Sequence, residues 1–450
     1  MKYKFFIPFA ILLIIFSAHV QLHAQEGRTI TLKEAIDLSI RNSKQLKGSQ
    51  ARIEEATAVL REAVERRLPE ASVTGSHLRL NSPNVNIKVK TDNSGGGTGA
   101  PQESAGKPSS ATYGLANVSL PIYSGLRIKY GIESSKYLEE AARLDAGNDR
   151  EAVVLNTISA FDNLYKSHAA VDLVKESLEG ARQRVKDFSN LEKNGLLARN
   201  DLLKAQLQES NVELSLLDAE NNWKLANINM DLMLGLSDTT TLSIDETDLQ
   251  TAAAGLKGVE EYVQLALQNR KDIAALDFRK KAASTGIKAA KGAMYPSVAL
   301  TGGYVAADVP NILTVTNAIN IGVGVQYSLS SLWKHSQIDE AKAREKEVLA
   351  NEEMLNDAVR LEVNQAYQNY LLSRKKIDVY ETAIQQAEEN YKIVNNKFQN
   401  QLANTTDLLD ADVAQLQARL NAAFAKADAS VAYNKLLQTA GILTNQTETK

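Results

Sequence analysis

The segment NGLLARNDLLKAQ (194–206) recurs 206 residues later, within NQLANTTDLLDADVAQ (400–415). In each copy a polar turn is followed by leucines and alanines at helical spacing. Nearer the start of the chain, residues 34–75 align without a gap on 261–302, at an offset of 227. The chain therefore contains one pattern twice, and the change of offset gives the first copy 21 additional residues.

The additional residues fall in a polar stretch, 81–112, that is rich in glycine, serine and proline. Such a composition cannot bury enough apolar surface to order itself, and it predicts a loop. In the second copy only a short loop is expected, near 308–318. Apolar and polar residues alternate on both sides of each loop, which predicts strands with one apolar face. The predicted strands are at about 71–80, 113–122, 297–307 and 319–328.

Most of the remaining sequence has the periodicity of long helices. Apolar residues from Val171 to Phe188 follow a 3-4 spacing, and those from Ile377 to Val394 repeat it. This spacing is typical of a coiled-coil seam. Proline, which would interrupt a helix, is absent from 126–250 and after position 310. The predicted elements are long helices at about 125–190 and 331–398 and return helices at about 201–235 and 405–440. A further helix is predicted before each hairpin, at about 32–68 and 259–294.

The amino terminus resembles a secretory signal peptide. Lys2 and Lys4 precede an apolar run from Phe5 to Phe16, and Ala24 ends a possible cleavage site. The run is shorter than the roughly 20 residues needed to span a bilayer, which argues against a membrane anchor. The predicted divisions of the chain are a signal peptide at 1–24, a first repeat at 25–254 with a linker at 237–254, a second repeat at 255–441 and a tail at 442–450.

The composition limits the classes of protein to consider. The 450 residues include no cysteine, so disulfides and a cysteine-linked lipid anchor are excluded. The net charge of −3, without a basic block, argues against a nucleic-acid partner. Past the signal peptide no run of 18 apolar residues predicts a transmembrane helix. An exported chain of this kind is periplasmic, secreted or an outer-membrane barrel.

The sequence offers little for catalysis or metal binding. Only His77, His168 and His335 follow the signal peptide, and no two of them have the spacing of metal ligands. There is no GxGxxG after a predicted strand, no Walker loop and no GxSxG motif. We therefore expect no metal, no cofactor and no enzymatic activity.

The predicted strands indicate an oligomer in lipid. Helices of roughly 100 Å lead away from both hairpins and cannot fold back to cover an apolar sheet face. A bilayer accepts a sheet only when the sheet closes, because open edges leave backbone groups unpaired. The smallest familiar membrane barrels have eight strands, so four strands require several copies of the chain.

The sequence resembles the TolC family of outer-membrane efflux and export channels. The resemblance rests on TLKEAIDLSIRNS (31–43), SLPIYSGLR (119–127) and the paired turn segments, in register within the duplicated pattern. It implies a mainly α fold with a small β part, as a homotrimer with a 12-stranded barrel in the outer membrane and a helical tunnel in the periplasm. It further implies a passive exit duct for a tripartite efflux pump or a type I secretion system. The implied partners are a periplasmic adaptor, an inner-membrane RND or ABC transporter and outer-membrane lipid.

The same resemblance assigns roles to residues of the two turns. Asp407 and Asp410, at i and i+3, correspond to the carboxylates that form the pore constriction in the family. Asp201 corresponds to a latch residue of the closed state, and Phe398 stands where a family member has tyrosine. Arg199 is a candidate to complete the latch. A structural interpretation competes with these roles, because acids are favoured at a helix N-terminus, where a threonine at 405 or 406 can cap.

Two other interpretations of the chain remain open at this point. A periplasmic adaptor is also exported and rich in coiled coil, although four strands are few for its usual β modules. A structural coiled-coil component of an export complex would not need alternating apolar hairpins.

Overall fold

The computed structural model describes residues 28–81, 107–244, 255–310, 312–333 and 335–444. Within these ranges the chain is mainly helical with a small β part, which confirms the expected fold class. Four features predicted from the sequence lie wholly or mostly outside these ranges: the signal peptide 1–24, the loop 81–112, the linker 237–254 and the tail 442–450.

The first repeat contributes four described helices. They are α1 (Leu32–Asn42), α2 (Lys44–Glu65), α3 (Arg127–Lys193) and α4 (Arg199–Leu234). Thr31 caps α1, since its hydroxyl accepts a hydrogen bond from the Glu34 amide at 3.2 Å. The sequence predicts one helix over 32–68, but the backbone leaves the helical region at Ser43. The Ser43 hydroxyl accepts from the Leu46 amide at 3.2 Å, a local bond that competes with helix continuation.

The second repeat contributes α5 (Val259–Asn269), α6 (Lys271–Gly292), α7 (Ser336–Gln399) and α8 (Thr405–Thr439). The interruption seen at Ser43 recurs at Arg270, which lies 227 positions later and has an extended backbone. The Arg270 guanidinium binds the Asp272 and Glu362 carboxylates, each at 2.7 Å. The interruption is therefore part of the duplicated pattern.

The helices α3 and α7 contain 67 and 64 residues. At 1.5 Å per residue, each is about 100 Å long. None of the described helices combines the length and the apolar character that a bilayer crossing demands.

The six described strands form two sheets. They are β1 (Arg28–Ile30), β2 (Glu70–Arg79), β3 (Ser110–Ser124), β4 (Leu242–Ile244), β5 (Ser297–Val309) and β6 (Leu313–Gln326). The strands β1 and β4 pair in parallel, and the other four form an antiparallel sheet in the order β2-β3-β5-β6. The two hairpins therefore join through β3 and β5, and β2 and β6 are the edges.

The turn between β5 and β6 is shorter than the sequence predicts. We expect a loop near 308–318, but the strands extend to Val309 and resume at Leu313. The polar residues that suggest a loop form bonds within the hairpin: the Thr314 hydroxyl donates to the Asp308 carboxylate at 2.7 Å. A polar segment can therefore form a strand when its side chains find hydrogen-bond partners on the neighbouring strand.

Each side of the four-stranded sheet has its own chemistry. Cross-strand partners share a face, and one row across all four strands is Ala71, Val118, Gly302 and Ile321. A second row on this face is Val73, Ala116, Tyr304 and Ile319. The opposite face carries the row Ser72, Asn117, Gly303 and Asn320. One face is therefore apolar from edge to edge along these rows. The other face is mixed, because its polar row is followed by the more apolar row Thr74, Leu115, Val305 and Ala318.

The small parallel sheet is held by a side chain of α4. The side-chain amide of Asn227 accepts a hydrogen bond from the backbone amide of Leu242 at 2.8 Å. It also donates a hydrogen bond to the Thr240 carbonyl at 2.6 Å. Strands of three residues are too short to show a period in the sequence, so the sequence predicts neither β1 nor β4.

The chain divides into two compact units. Unit 1 comprises Met1–Gln50, Asp145–Ile273 and Leu355–Lys450, and unit 2 comprises Ala51–Leu144 and Ala274–Met354. Unit 1 contains the α3–α4 and α7–α8 turns and a fully buried core that includes Ile158, Phe161 and Met230. Unit 2 contains the four-stranded sheet. Each unit draws on both repeats, so the compact units do not coincide with the repeats.

Candidate functional site

The turns that end α3 and α7 have the same backbone design. At the first, the Leu196 amide donates to the Leu191 carbonyl, and Gly195 has a positive φ of 71°. At the second, the Leu402 amide donates to the Lys397 carbonyl, and the preceding residue, Gln401, also has a positive φ. Both are Schellman-type helix ends. Leu196 and Leu402, which occupy equivalent positions in the two turns, are 68% and 76% exposed.

The Asp407 carboxylate takes part in the cap of α8. Its Oδ2 accepts from the Asn404 amide at 3.2 Å, and the Asn404 side chain accepts from the Asp407 amide at 2.9 Å. This capping box corrects the expected cap at Thr405 or Thr406, because Asn404 is the residue before the first helical turn. The Asp407 side chain remains exposed to solvent.

Asp410 lies one turn further along α8 and is also exposed. Within the described ranges no hydrogen bond or ion pair of its carboxylate is found. The structure therefore brings Asp407 and Asp410 onto one exposed face at the start of α8. One carboxylate stabilises the helix end, and the other has no structural task among the described contacts.

The three latch candidates make separate contacts. Arg199 pairs with Glu192 of the preceding helix at 3.6 Å and is exposed. Phe398 stacks on Phe188, with ring centroids 5.3 Å apart, and packs in an apolar cluster. Asp201 lies 3.5 Å from the Lys204 ammonium. Within one copy of the chain these contacts do not join Arg199, Asp201 and Phe398 into one polar network.

Sequence reasoning missed a buried ion pair near these turns. Arg184 of α3 and Asp412 of α8 are joined at 2.8 Å, and the side chains are 10% and 13% exposed. The Arg184 guanidinium also donates to the Tyr391 hydroxyl of α7 at 3.3 Å. Burial raises the pKa of the Asp412 carboxyl, and Arg184 offsets only part of that rise. This cluster links three helices of unit 1.

A second arginine links the same three helices. Arg419 of α8 binds Glu388 of α7 at 3.2 Å and Glu176 of α3 at 3.0 Å. Asp412 and Glu176 lie more than 200 positions from Arg184 and Arg419, so no local spacing reveals these two contacts. The sequence signal was limited to an acidic residue, Asp412, beside the apolar positions of a helix.

Metal binding finds no support in the parts of the chain that the structure covers. Among the described residues, no group of three or more histidine, aspartate or glutamate side chains is placed to hold a metal ion.

Comparisons with known proteins agree with this architecture. The model of the outer membrane efflux protein family matches residues 35–236 and 262–442. A comparison with curated proteins finds no match.

Three solved structures illustrate the shared fold. CusC has 19% identity and a TM-score of 0.75, with 94% of this chain and 95% of CusC covered. The outer-membrane channel OprN has 18% identity and a TM-score of 0.74, with coverage of 91% and 89%. VceC from Vibrio cholerae has 18% identity and a TM-score of 0.70, with coverage of 91% and 96%.

The family match extends over both repeats and confirms the resemblance seen in the sequence. The solved structures share the architecture of long helices and few strands. The chain belongs to the outer membrane efflux protein family and is an efflux channel protein of the outer membrane of Gram-negative bacteria.

Proposed function

We propose that three copies of the chain form one tunnel, with a twelve-stranded barrel in the outer membrane and helices in the periplasm. The observation that carries this proposal is the apolar face of the four-stranded sheet. Val73, Ile319 and Ile321 on that face are 85%, 81% and 82% exposed within one copy. Hydrocarbon fits such a surface, because lipid contact removes it from water.

The edges of the sheet support closure by several copies. Among the described strands, β2 pairs only with β3 and β6 pairs only with β5. In hydrocarbon the free edge groups would each cost several kcal/mol, so an inserted sheet must close. Pairing β6 of one copy with β2 of the next satisfies both edges. Three copies of four strands then give twelve.

The helices of unit 1 offer a matching interface. Exposed leucines follow one side of α4: Leu203, Leu207, Leu214, Leu217, Leu225 and Leu232. Exposed apolar residues follow α7 at helical spacing: Leu361, Leu372, Val379 and Ile393. The two stripes lie on different helices, which allows a head-to-tail contact in which α4 of one copy packs on α7 of the next. Head-to-tail contacts close into a ring when the rotation between copies allows it, as a three-fold tunnel requires.

The exposed leucines at the turns support docking of a periplasmic adaptor. Leu196 and Leu402 occupy equivalent positions, so a trimer presents six of them. Exposed apolar side chains at repeated positions fit a partner that binds by apolar contact. The chain contains no nucleotide-binding motif. In line with the family resemblance, an inner-membrane transporter of the RND or ABC class supplies the energy, in a tripartite pump or a type I secretion system.

Asp407 and Asp410 are the proposed pore constriction. In a trimer whose bore is lined by their shared exposed face, six carboxylates surround the bore. Rings of carboxylates select cations over anions. In planar bilayers, the double variant D407N/D410N is expected to raise single-channel conductance and to weaken block by multivalent cations. Asparagine keeps an oxygen that can accept the cap bond from Asn404, so the helix end is preserved.

The matched control for that variant is E220Q, which removes a carboxylate from the middle of α4. The acidic constriction would be excluded if multivalent cations blocked D407N/D410N as strongly as they block E220Q and the unmodified channel.

Assembly is the decisive test of the proposed function. The purified protein in mild detergent is expected to have the mass of three chains by native mass spectrometry and to conduct ions in planar bilayers. Cell fractionation should place it in the outer membrane. A protein that is monomeric and needs no detergent would refute the tunnel and would favour a periplasmic role.

A further inference from the structure

Lys204 breaks the electrostatic symmetry of the two duplicated turns. It corresponds to Asp410 at the offset of 206, just as Asp201 corresponds to Asp407. One copy of the pattern therefore begins its return helix with two carboxylates, and the other with a carboxylate and an ammonium. Neither the family match nor the proposed constriction accounts for this cation.

The Lys204 side chain reaches from one helical hairpin to the other. Its ammonium donates to the Thr406 hydroxyl of α8 at 3.2 Å and lies 3.5 Å from the Asp201 carboxylate. The contact with the neighbouring helix is thus the shorter of the two. The side chain is about half exposed, so its charge faces solvent from a defined position.

This position brings the ammonium close to the proposed constriction. Thr406 directly precedes Asp407 in the chain. It is four residues before Asp410, and residues at this spacing are neighbours on a helix surface. The charged cluster of one copy consists of three carboxylates, Asp201, Asp407 and Asp410, and one ammonium. Its formal charge is −2, and it would be −3 without Lys204.

We propose that Lys204 is a specificity-determining residue that limits the cation selectivity of the tunnel mouth. This inference rests on the proposed function. A fixed ammonium among the carboxylates weakens the field that a purely acidic ring would exert on ions in the bore. The channel therefore admits anionic cargo that three unopposed carboxylates per copy would repel.

The test compares permeability ratios for potassium and chloride, from reversal potentials of single channels in a potassium chloride gradient. K204Q removes the charge and is expected to raise the preference for potassium about twofold or more at low ionic strength. K204R keeps the charge and should retain the ratio of the unmodified channel. T406V removes the anchoring hydroxyl but keeps the ammonium, so it should change the ratio less than K204Q does.

The absence of cysteine allows a version of the test in which the charge at position 204 is changed only after folding and assembly. K204C channels that are already assembled and conducting can be modified with a cationic or an anionic methanethiosulfonate reagent. The cationic reagent should lower the potassium preference toward that of the unmodified channel. The anionic reagent should raise it further.

The outcomes separate this inference from the proposed function. If the unmodified protein forms conducting trimers but K204Q and both K204C adducts share its permeability ratio, the role of Lys204 is refuted and the tunnel stands. If the unmodified protein forms no trimer and no channel, the proposed function fails, and the inference fails with it.

Discussion

In unit 1 the side chains of Phe161, Met230 and Leu234 are completely withdrawn from water, whereas in unit 2 Ile319 and Ile321 are more than four-fifths exposed. Both regions use the large apolar residues that fill protein interiors. The helical core of unit 1 finds its partners within the same chain. The apolar face of the sheet finds none among the described residues. The same residue types therefore serve intrachain packing in one region and external contact in the other.

This difference separates two kinds of stability. Unit 1 gains the free energy of apolar burial as one copy folds. In the proposed barrel the sheet face gains the free energy of apolar burial on contact with lipid, and the sheet edges gain hydrogen bonds from strands of neighbouring copies. Substitutions in the buried core of unit 1 should therefore change the free energy of unfolding, whereas substitutions on the sheet face should change assembly and insertion.

The largest effect is expected at the buried ion pair of unit 1. Replacing Asp412 with alanine leaves the Arg184 guanidinium buried without its carboxylate, at a cost of about 3–5 kcal/mol in the free energy of unfolding. Chemical denaturation in detergent measures this loss. The control is E220A, at an exposed position of α4, which should change stability by less than about 0.5 kcal/mol. A similar small change in D412A would show that the pair contributes nothing.

The next largest effect concerns the apolar face of the sheet. A lysine at Ile321 on the lipid side of a barrel costs about 2–4 kcal/mol per copy near the middle of the bilayer. I321K is therefore expected to reduce heat-resistant trimers in outer-membrane fractions. Asn320 lies next to it on the opposite face, so N320K is the matched control and should assemble normally. Equal losses in the two variants would contradict the assigned faces.

A smaller effect that depends on pH is expected in the helical core. Asp162 of α3 is 1% exposed, and one oxygen of its carboxyl group has no hydrogen-bond partner among the described residues. Burial raises its pKa to about 7, and the nearby Asp428 adds to the rise. The Ser430 hydroxyl and the Lys166 ammonium oppose it only in part.

The sign of the pH dependence follows from that raised pKa. Between its ordinary value, 3.8, and about 7, the folded chain holds the Asp162 proton and the unfolded chain does not. This group therefore makes folding less favourable as pH rises, by up to about 1.4 kcal/mol per pH unit across that window. The variant D162N lacks this proton and should reduce the slope. Equal slopes of unfolding free energy against pH in D162N and the unmodified protein would contradict the assignment.

The smallest effect is expected on the exposed stripe of α4. Leu214 is 61% exposed within one copy, so L214S should leave the unfolding of a separated chain nearly unchanged. At a neighbouring copy it would remove apolar contact worth about 1–2 kcal/mol. Native mass spectrometry of a dilution series should then show that L214S trimers dissociate at a higher protein concentration than E220Q trimers. If L214S and E220Q trimers dissociate at the same concentration, the stripe lies outside the interface.

Much of the fold is predictable because its signals are local. The 3-4 spacing around Phe188 and the alternation around Ile321 depend only on which residues share a helix or strand face. The break at Ser43 and its counterpart at Arg270 were missed, since neither residue is a strong helix breaker. The cap at Asn404 was also missed. Thr405 and Thr406 are equally suitable cap residues, and one local hydrogen bond decides which residue caps the helix.

The candidate site is less predictable than the fold. The sequence places Asp407, Asp410 and Asp412 within six positions and gives each the same chemistry. The structure gives them three environments: a helix cap, an exposed surface and a buried ion pair. The environment of Asp407 depends on the nearby Asn404, whereas that of Asp412 depends on Arg184 of α3, more than 200 positions away.

The sequence alone determined the duplication, the long helices and the two-faced strands, because period and composition act over a few residues at a time. Only the tertiary structure decided that both repeats contribute to each compact unit, that Arg184 meets Asp412, and that Lys204 reaches Thr406. These contacts join distant parts of the chain. They depend on how helices pack in three dimensions, which the spacing of residues along one helix does not specify.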